Sequence, residues 1–238
     1  MSWSTQVFRY CERAQDPAFW AEPLNAVTNA AFLIAAVAAA IAYMREPRAA
    51  SAPGVLALIV LVFVIGIGSF LFHTVATRWA AMADVVPIGI FMLAYMGYAL
   101  RSYVKLGWIA TAIGVGLFVL TLQYAGDIQC RPGLISVTEA ARGPCMNGTV
   151  GYAPAFLAML GIGAVLLVKR HPAATYLLAA SAVFLVSMLA RTVDIEICPM
   201  TRIAGAPIGT HFLWHVLNAT TLYLLLMAAV RHGFKRVT

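Results

Sequence analysis

Residues 209–230 read GTHFLWHVLNATTLYLLLMAAV, and this stretch carries two signals. Its length and apolar character suit a membrane span, because a helix needs about 20 apolar residues to cross roughly 30 Å of hydrocarbon. Yet His211 and His215 lie one helical turn apart near its start. Ionisable groups in membrane spans are costly and mark candidate functional sites. The stretch therefore predicts a membrane helix with a functional feature at one end.

The composition of the whole chain is that of an integral membrane protein. Of its 238 residues, 62% are hydrophobic and 11% are charged, and the mean hydropathy is +0.86. Charged, proline-bearing or glycine-bearing turns separate six further apolar stretches that precede the one quoted above. The predicted spans are 24–44, 54–75, 83–101, 106–125, 150–168, 173–192 and 209–230.

These spans predict an all-α membrane protein, a single seven-helix transmembrane domain over residues 1–238. Its parts are an extracytoplasmic N-terminal segment (1–23), the helix bundle (24–230) and a cytoplasmic tail (231–238). Abundant alanine, glycine and serine favour close helix packing in lipid, and give the spans a bacterial character. The basic residues need no nucleic acid to explain them.

The basic residues are divided unequally between the two ends of the predicted bundle. The odd-numbered connections and the C-terminal tail carry nine Lys and Arg residues and one Glu, a net charge of +8. The N-terminal segment and the even-numbered connections have a net charge of −1. Because cytoplasmic loops are enriched in Lys and Arg, the N-terminus is predicted outside and the C-terminus in the cytoplasm. We expect a bacterial inner membrane, with the site toward the periplasmic face.

The cysteines agree with this orientation. Cys11, Cys130, Cys145 and Cys198 all lie on the side predicted to be external, where disulfides persist. Four cysteines allow three pairings. We favour Cys130–Cys145 within the fourth connection and Cys11–Cys198 between the N-terminal segment and the sixth connection. Four unpaired thiols are the alternative.

Polar residues recur near the external ends of the second, third and seventh predicted spans. His73 ends the second span, Ser69 lies one turn before it, and Asp84 starts the third. His211 and His215, at i and i+4, project from one face of the seventh. Because successive spans alternate in direction, His73, Asp84, His211 and His215 are expected at similar depth, with Ser69 one turn from His73.

Three imidazoles with an open fourth position are a catalytic zinc arrangement, in which the metal lowers the pKa of its water to about 7. We interpret His73, His211 and His215 as the ligands. Asp84 would hold or deprotonate the water, and Ser69 would donate to the developing oxyanion. In the alternative interpretation these side chains only pack within the bundle, and Asp84 is a helix N-cap or a first-turn charge beside the helix dipole.

Several blocks of sequence share their order and spacing with a known family. They are G-x-G-S-x-x-F-H at 66–73, an aspartate eleven residues later, H-x-x-W-H at 211–215 with a tyrosine at 223, YCE at 10–12 and AEPLNAVTN at 21–29. Together they resemble the alkaline ceramidases, seven-helix hydrolases in a superfamily with the progestin and adiponectin receptors. The resemblance implies the zinc ligands and the roles of Asp84 and Ser69 given above. It also implies hydrolysis of a ceramide amide and the Cys11–Cys198 disulfide.

The resemblance further implies an N-terminal calcium site, which this chain matches only in part. Glu12 and Glu22 match, whereas Arg9, Tyr10 and Ala14 stand where the family has aspartate, tryptophan and asparagine. A guanidinium in place of a carboxylate removes an oxygen ligand and repels Ca²⁺. These changes argue against calcium, although Asp16 offers a substitute carboxylate. A salt bridge from Arg9 to Glu12 or Glu22 is the alternative.

The sequence thus predicts a zinc-dependent membrane amidohydrolase. Its substrate would be a ceramide or a similar long-chain N-acyl lipid, cleaved to a free amine and a fatty acid. One alternative is a seven-helix receptor or scaffold with a structural zinc site. Another is a membrane protein that binds haem through two of the histidines.

Overall fold

The computed structural model describes residues 2–47, 52–129 and 145–233, and within them seven helical segments are long and apolar enough to cross a membrane. They are numbered here as spans one to seven: Pro23–Arg45, Pro53–Val75, Arg78–Val104, Trp108–Asp127, Cys145–Val168, Ala173–Val193 and His211–His232. The all-α, seven-span fold predicted from hydropathy is confirmed, and the protein is an integral membrane protein.

Three of the spans are composite. The first consists of the helices Pro23–Thr28 and Ala30–Arg45. The third is the helix Arg78–Ala99, which continues into the π-helical turn Leu100–Val104. The fifth begins with the 3₁₀ segment Cys145–Tyr152 and becomes an α-helix over Ala153–Val168. The other four spans are single α-helices with the bounds given above.

The third span begins earlier than the sequence predicted, at Arg78 rather than at residue 83. Ala76 adopts the left-handed conformation with φ 49° and ends the preceding helix, so that the chain turns directly into the next. In the sequence, the charge of Arg78 indicated a loop, but Arg78 is the first residue of the helix. Asp84 consequently lies in the second turn of its helix, and its interpretation as an N-cap or first-turn charge is wrong.

The N-terminal segment is fixed at one end of the bundle. Cys11 forms the predicted disulfide with Cys198, in the 3₁₀ turn Cys198–Met200 of the sixth connection. We call this the disulfide end of the bundle. The same connection holds a small antiparallel hairpin, Arg202–Ile203 with Ala206–Pro207. Cys130 and the tail beyond residue 233 lie outside the described residues, so the Cys130–Cys145 pairing stays a prediction.

The N-terminal segment also covers the turn between the second and third spans. The backbone N–H of Val7 donates to the carbonyl of Ala76 at 2.7 Å, and that of Arg78 donates to the carbonyl of Thr5 at 3.0 Å. The seventh span is the most buried of the seven and packs against the first, second and sixth. Polar side chains on its inner face therefore point into protein at the disulfide end, where the N-terminal segment covers them.

Candidate metal centre

Three histidines meet at the disulfide end of the bundle. His73 lies in the last turn of the second span, His211 is the first residue of the seventh, and His215 follows one turn later. A ring nitrogen from each lies within 4.8 Å of the others, and each residue is 1% exposed. The structure thus brings together the three imidazoles that the sequence singled out, in a group that is able to hold a metal ion.

One buried ring nitrogen of each histidine has no hydrogen-bond partner among the described residues. These nitrogens are Nε2 of His73, Nδ1 of His211 and Nε2 of His215. Leaving a buried polar nitrogen unsatisfied costs free energy, and three such atoms in one place are exceptional in a native fold. A metal ion would satisfy all three at once. The donor set suits zinc, which binds imidazole nitrogen readily.

Partners on the far side of two rings set which nitrogen carries the proton. Nδ1 of His73 lies 2.5 Å from Oε2 of Glu22, and Nδ1 of His215 lies 3.0 Å from Oγ1 of Thr28. A carboxylate only accepts, and the Thr28 hydroxyl already donates to the carbonyl of Leu24. Each Nδ1 therefore carries the hydrogen, which leaves the Nε2 lone pair free to bind a metal.

Glu22, a candidate calcium ligand in the sequence, is instead a partner of His73. Its other carboxylate oxygen forms a 2.5 Å ion pair with Nε of Arg13, so its cation partner is Arg13 and not Arg9. Burial alone would raise the pKa of Glu22, but its contacts with His73 and Arg13 lower it. Glu22 is therefore an anion beside the histidines.

Ser69 and Asp84 face each other next to the histidines. Both are buried, and the Ser69 hydroxyl lies beside the Asp84 carboxylate. Gly68 makes this approach possible, because a Cβ at that position would overlap the backbone carbonyl of Ala83. The close approach of the second and third spans, which brings Ser69 to Asp84, therefore depends on a glycine contact between these two helices.

Arg191 is a buried residue near the centre that the sequence interpretation missed. Its guanidinium carbon lies 5.0 Å from the Trp214 ring and 5.5 Å from the Tyr152 ring, and Nη1 donates to the Tyr10 hydroxyl at 3.3 Å. Tyr10 in turn stacks on His211 with ring centroids 3.6 Å apart, and its burial raises its pKa to about 12. Arg191 thus fixes the ring that covers a candidate ligand.

Asp194 is a second buried residue that the sequence interpretation missed. Its carboxylate accepts from the backbone N–H groups of Cys11 at 3.0 Å, Thr210 at 2.7 Å and His211 at 2.9 Å. Burial raises its pKa, although the same hydrogen bonds oppose the shift. Asp194 joins the N-terminal segment to the start of the seventh span. The sequence did carry a signal for Asp194: it is an acidic residue at the end of the sixth predicted span, at the expected depth of the histidines.

An apolar cavity lies one helical turn inward from the centre. Its wall includes Ile65, Ile88 and Asn218. Each of them lies three or four residues along its helix from a residue of the centre, namely Ser69, Asp84 and His215 in that order. From there it continues toward the opposite end of the bundle, where Ala99 and Leu225 line it. The cavity is open at its mouth, and the empty space between its lining residues, with the open space at the mouth counted in, amounts to about 710 Å³.

Fold and site together define a seven-span integral membrane protein with a buried three-histidine centre above an apolar cavity. Comparison with protein families makes this class specific. The chain belongs to the Ceramidase family, whose model matches residues 5–233, and the resemblance seen in its motifs is confirmed. It is therefore a membrane hydrolase that acts on the amide bond of ceramide. A comparison with curated proteins finds no match.

Proposed function

We propose that the protein is a zinc-dependent amidohydrolase that cleaves ceramide, or a similar long-chain N-acyl lipid, into a free amine and a fatty acid. One observation carries this proposal: three histidines, each with an unpaired buried ring nitrogen, meet beside a buried serine–aspartate pair. A structural metal site would need no such pair. The class of substrate follows from the family and from the adjoining apolar cavity.

His73, His211 and His215 would hold the zinc, which supplies an activated water and a Lewis acid for the amide carbonyl. Asp84 takes one proton from the attacking water onto a carboxylate oxygen. As the carbon–nitrogen bond breaks, Asp84 returns this proton to the leaving amine. The Ser69 hydroxyl donates to the carbonyl oxygen as negative charge develops there. The balance is one water and one amide consumed, and one amine and one carboxylic acid formed.

The cavity accounts for the lipid part of the substrate. Phe91, Phe118 and Phe184 are among its lining residues, with Met92 and Met159. An acyl chain that lies along this wall would be removed from water, and its amide end would extend from the cavity to the three histidines and Asp84. The flexible thioethers of the methionines adapt to chains of different shape.

We further propose that the disulfide end faces the outside of the cell and that the membrane is a bacterial inner membrane. The excess of Lys and Arg at the other end supports this orientation, as does the Cys11–Cys198 disulfide, which needs an oxidising compartment. A green fluorescent protein fused after residue 238 is expected to fluoresce in the cytoplasm. A dark fusion that is present in the membrane fraction contradicts this orientation.

The experiment that tests the zinc site is elemental mass spectrometry on the detergent-purified protein. The wild type is expected to hold about one zinc per chain, as one three-ligand site predicts. His211→Ala and His215→Ala are expected to lose it. His232→Ala is the matched control, since it removes a histidine from the same helix but outside the group. A folded wild type without metal, despite purification in zinc without chelator, overturns the proposal.

A further inference from the structure

The Arg13 side chain is buried in the N-terminal segment, where the family resemblance implies calcium. The residue is 1% exposed. An arginine head group carries five N–H donors, and here all five have an acceptor. Nε donates to Glu22 Oε1 at 2.5 Å, Nη1 to the carbonyls of Asp16 (3.0 Å) and Ala18 (2.8 Å), and Nη2 to those of His73 (2.9 Å) and Thr74 (3.2 Å).

The acceptors around Arg13 are all oxygens, four from the backbone and one from a carboxylate. Calcium prefers oxygen donors of these kinds, which it takes in sets of 6–8. In this chain the guanidinium already fills the space between them. A calcium ion would have to displace the buried guanidinium of Arg13, whose five N–H donors all have acceptors.

The three carboxylates that were candidate calcium ligands are also engaged. Both oxygens of Glu12 accept backbone N–H groups at 2.8 Å, from Leu24 and Asn25 at the start of the first span. Oδ1 of Asp16 accepts the N–H of Ala18 at 2.8 Å. Glu22 is shared between Arg13 and His73. The residues present therefore do not fit calcium.

We propose that Arg13 is a built-in cation that stands in for calcium, and that the protein folds and holds its site without Ca²⁺. Arg13 is a positioning residue. It orients Glu22, which in turn orients His73. It also binds the carbonyls of His73 and Thr74 in the last turn of the second span, where helix carbonyls lack intrahelical partners and cations are favourable. One side chain thus joins the N-terminal segment to the helix end that carries a candidate ligand.

This proposal concerns cation content and stability, so it is independent of which lipid the protein cleaves. The first measurement uses the full chain in detergent, dialysed into calcium-free buffer with zinc held constant. We expect no calcium by elemental mass spectrometry. We also expect an unchanged thermal unfolding temperature when millimolar CaCl2 is added. About one calcium per chain, or an unfolding temperature that rises with CaCl2, overturns the proposal.

Variants test the positioning role. Arg13→Gln is expected to lower the unfolding temperature and to weaken zinc binding, by no more than the loss of about 10- to 100-fold that follows removal of a direct partner of a metal ligand. Arg9→Gln is the matched control, because Arg9 is exposed in the same segment, and it is expected to behave as wild type. Wild-type stability and zinc affinity in Arg13→Gln contradict the role.

If Arg13→Gln does not fold, Arg13→Lys decides the same question. Lysine keeps the charge but has three donors instead of the five that the oxygens require. It is expected to fold with a lower unfolding temperature and weaker zinc binding than wild type. An Arg13→Lys protein that equals wild type in both overturns the positioning role, because three donors would then hold the site as well as five.

Discussion

Glu22 Oε2 and His73 Nδ1 lie 2.5 Å apart, which joins the residue just before the first span to the last turn of the second. The contact orients one candidate metal ligand from a segment that precedes the bundle. Glu22 therefore belongs to the three-histidine site, whereas the family resemblance implies that it is a calcium ligand. The same pattern, a carboxylate behind a histidine ligand, raises ligand basicity in zinc sites.

Replacing Glu22 with glutamine should weaken zinc binding about 10- to 100-fold, because the charge behind His73 is lost. Competition with a fluorescent zinc chelator measures the change. Glu12→Gln is the matched control, since its carboxylate accepts only backbone N–H groups. Equal zinc affinity in the two variants would contradict the orienting role of Glu22.

Thr28 supports His215 in the same way, but without a charge. Thr28→Val keeps the side-chain shape and removes the oxygen that accepts from Nδ1 of His215. We expect zinc affinity to fall about tenfold, at the lower end for lost ligand partners. Thr220→Val is the control, because the exposed Thr220 hydroxyl bonds only to the carbonyl of Val216 in its own helix. A change of similar size in both would show a general effect on the seventh span.

Asp84→Asn separates metal binding from chemistry. The amide has the shape of the carboxylate but does not take up and return a proton, so kcat should fall about 10²- to 10⁴-fold. Zinc content, measured on the same preparation, should stay at the wild-type level because Asp84 is not in the three-histidine group. Release of fatty acid from N-acyl lipids in detergent micelles gives kcat. A variant with full activity would remove Asp84 from the mechanism.

Gly68→Ala tests the helix contact that brings Ser69 to Asp84. The added methyl group would overlap the Ala83 carbonyl, and overpacking of this kind typically costs about 1–3 kcal/mol. Activity and thermal stability should both fall. Gly89→Ala is the control, since nothing lies within 4 Å of a Cβ built there. If both variants melt like wild type, the close approach at Gly68 is not needed.

Met159→Trp tests the cavity as the acyl site. The larger side chain should fill part of the cavity, so kcat/KM should fall more for long-chain than for short-chain N-acyl substrates. Leu157→Trp is the control, because Leu157 is 60% exposed on the outside of the same helix. An equal loss for all chain lengths would mean that the chain lies elsewhere.

The seven spans and the three histidines were predictable because their signals are local. Apolar length reveals a span, and the i, i+4 spacing of His211 and His215 places both rings on one face. The convergence with His73 followed from the alternating direction of the spans. These inferences need no knowledge of side-chain contacts.

The partners of the histidines were not predictable, because they arise from contacts between distant segments. Arg13 and Arg9 are equally basic in the sequence, and only the folded chain shows which one meets Glu22. Asp194, at the end of the sixth span, accepts hydrogen bonds from the backbone N–H groups of Cys11 in the N-terminal segment and His211 in the seventh span. The start of the third span was misplaced because a charged residue at a helix end looks the same in sequence as one in a loop.

The Cys11–Cys198 disulfide, with its sequence separation of 187, has a consequence for biogenesis. At about 5–20 residues per second, roughly 7 to 28 s separate the synthesis of His73 from that of His211. The Glu22–His73 pair can therefore form before the later spans have been synthesised. The three-histidine group and the Cys11–Cys198 disulfide form only after the last quarter of the chain has been synthesised, because His211, His215 and Cys198 lie there. A nascent chain arrested before residue 198 should insert its early spans but capture no zinc, because the proposed zinc site is complete only once His211 and His215 have been synthesised.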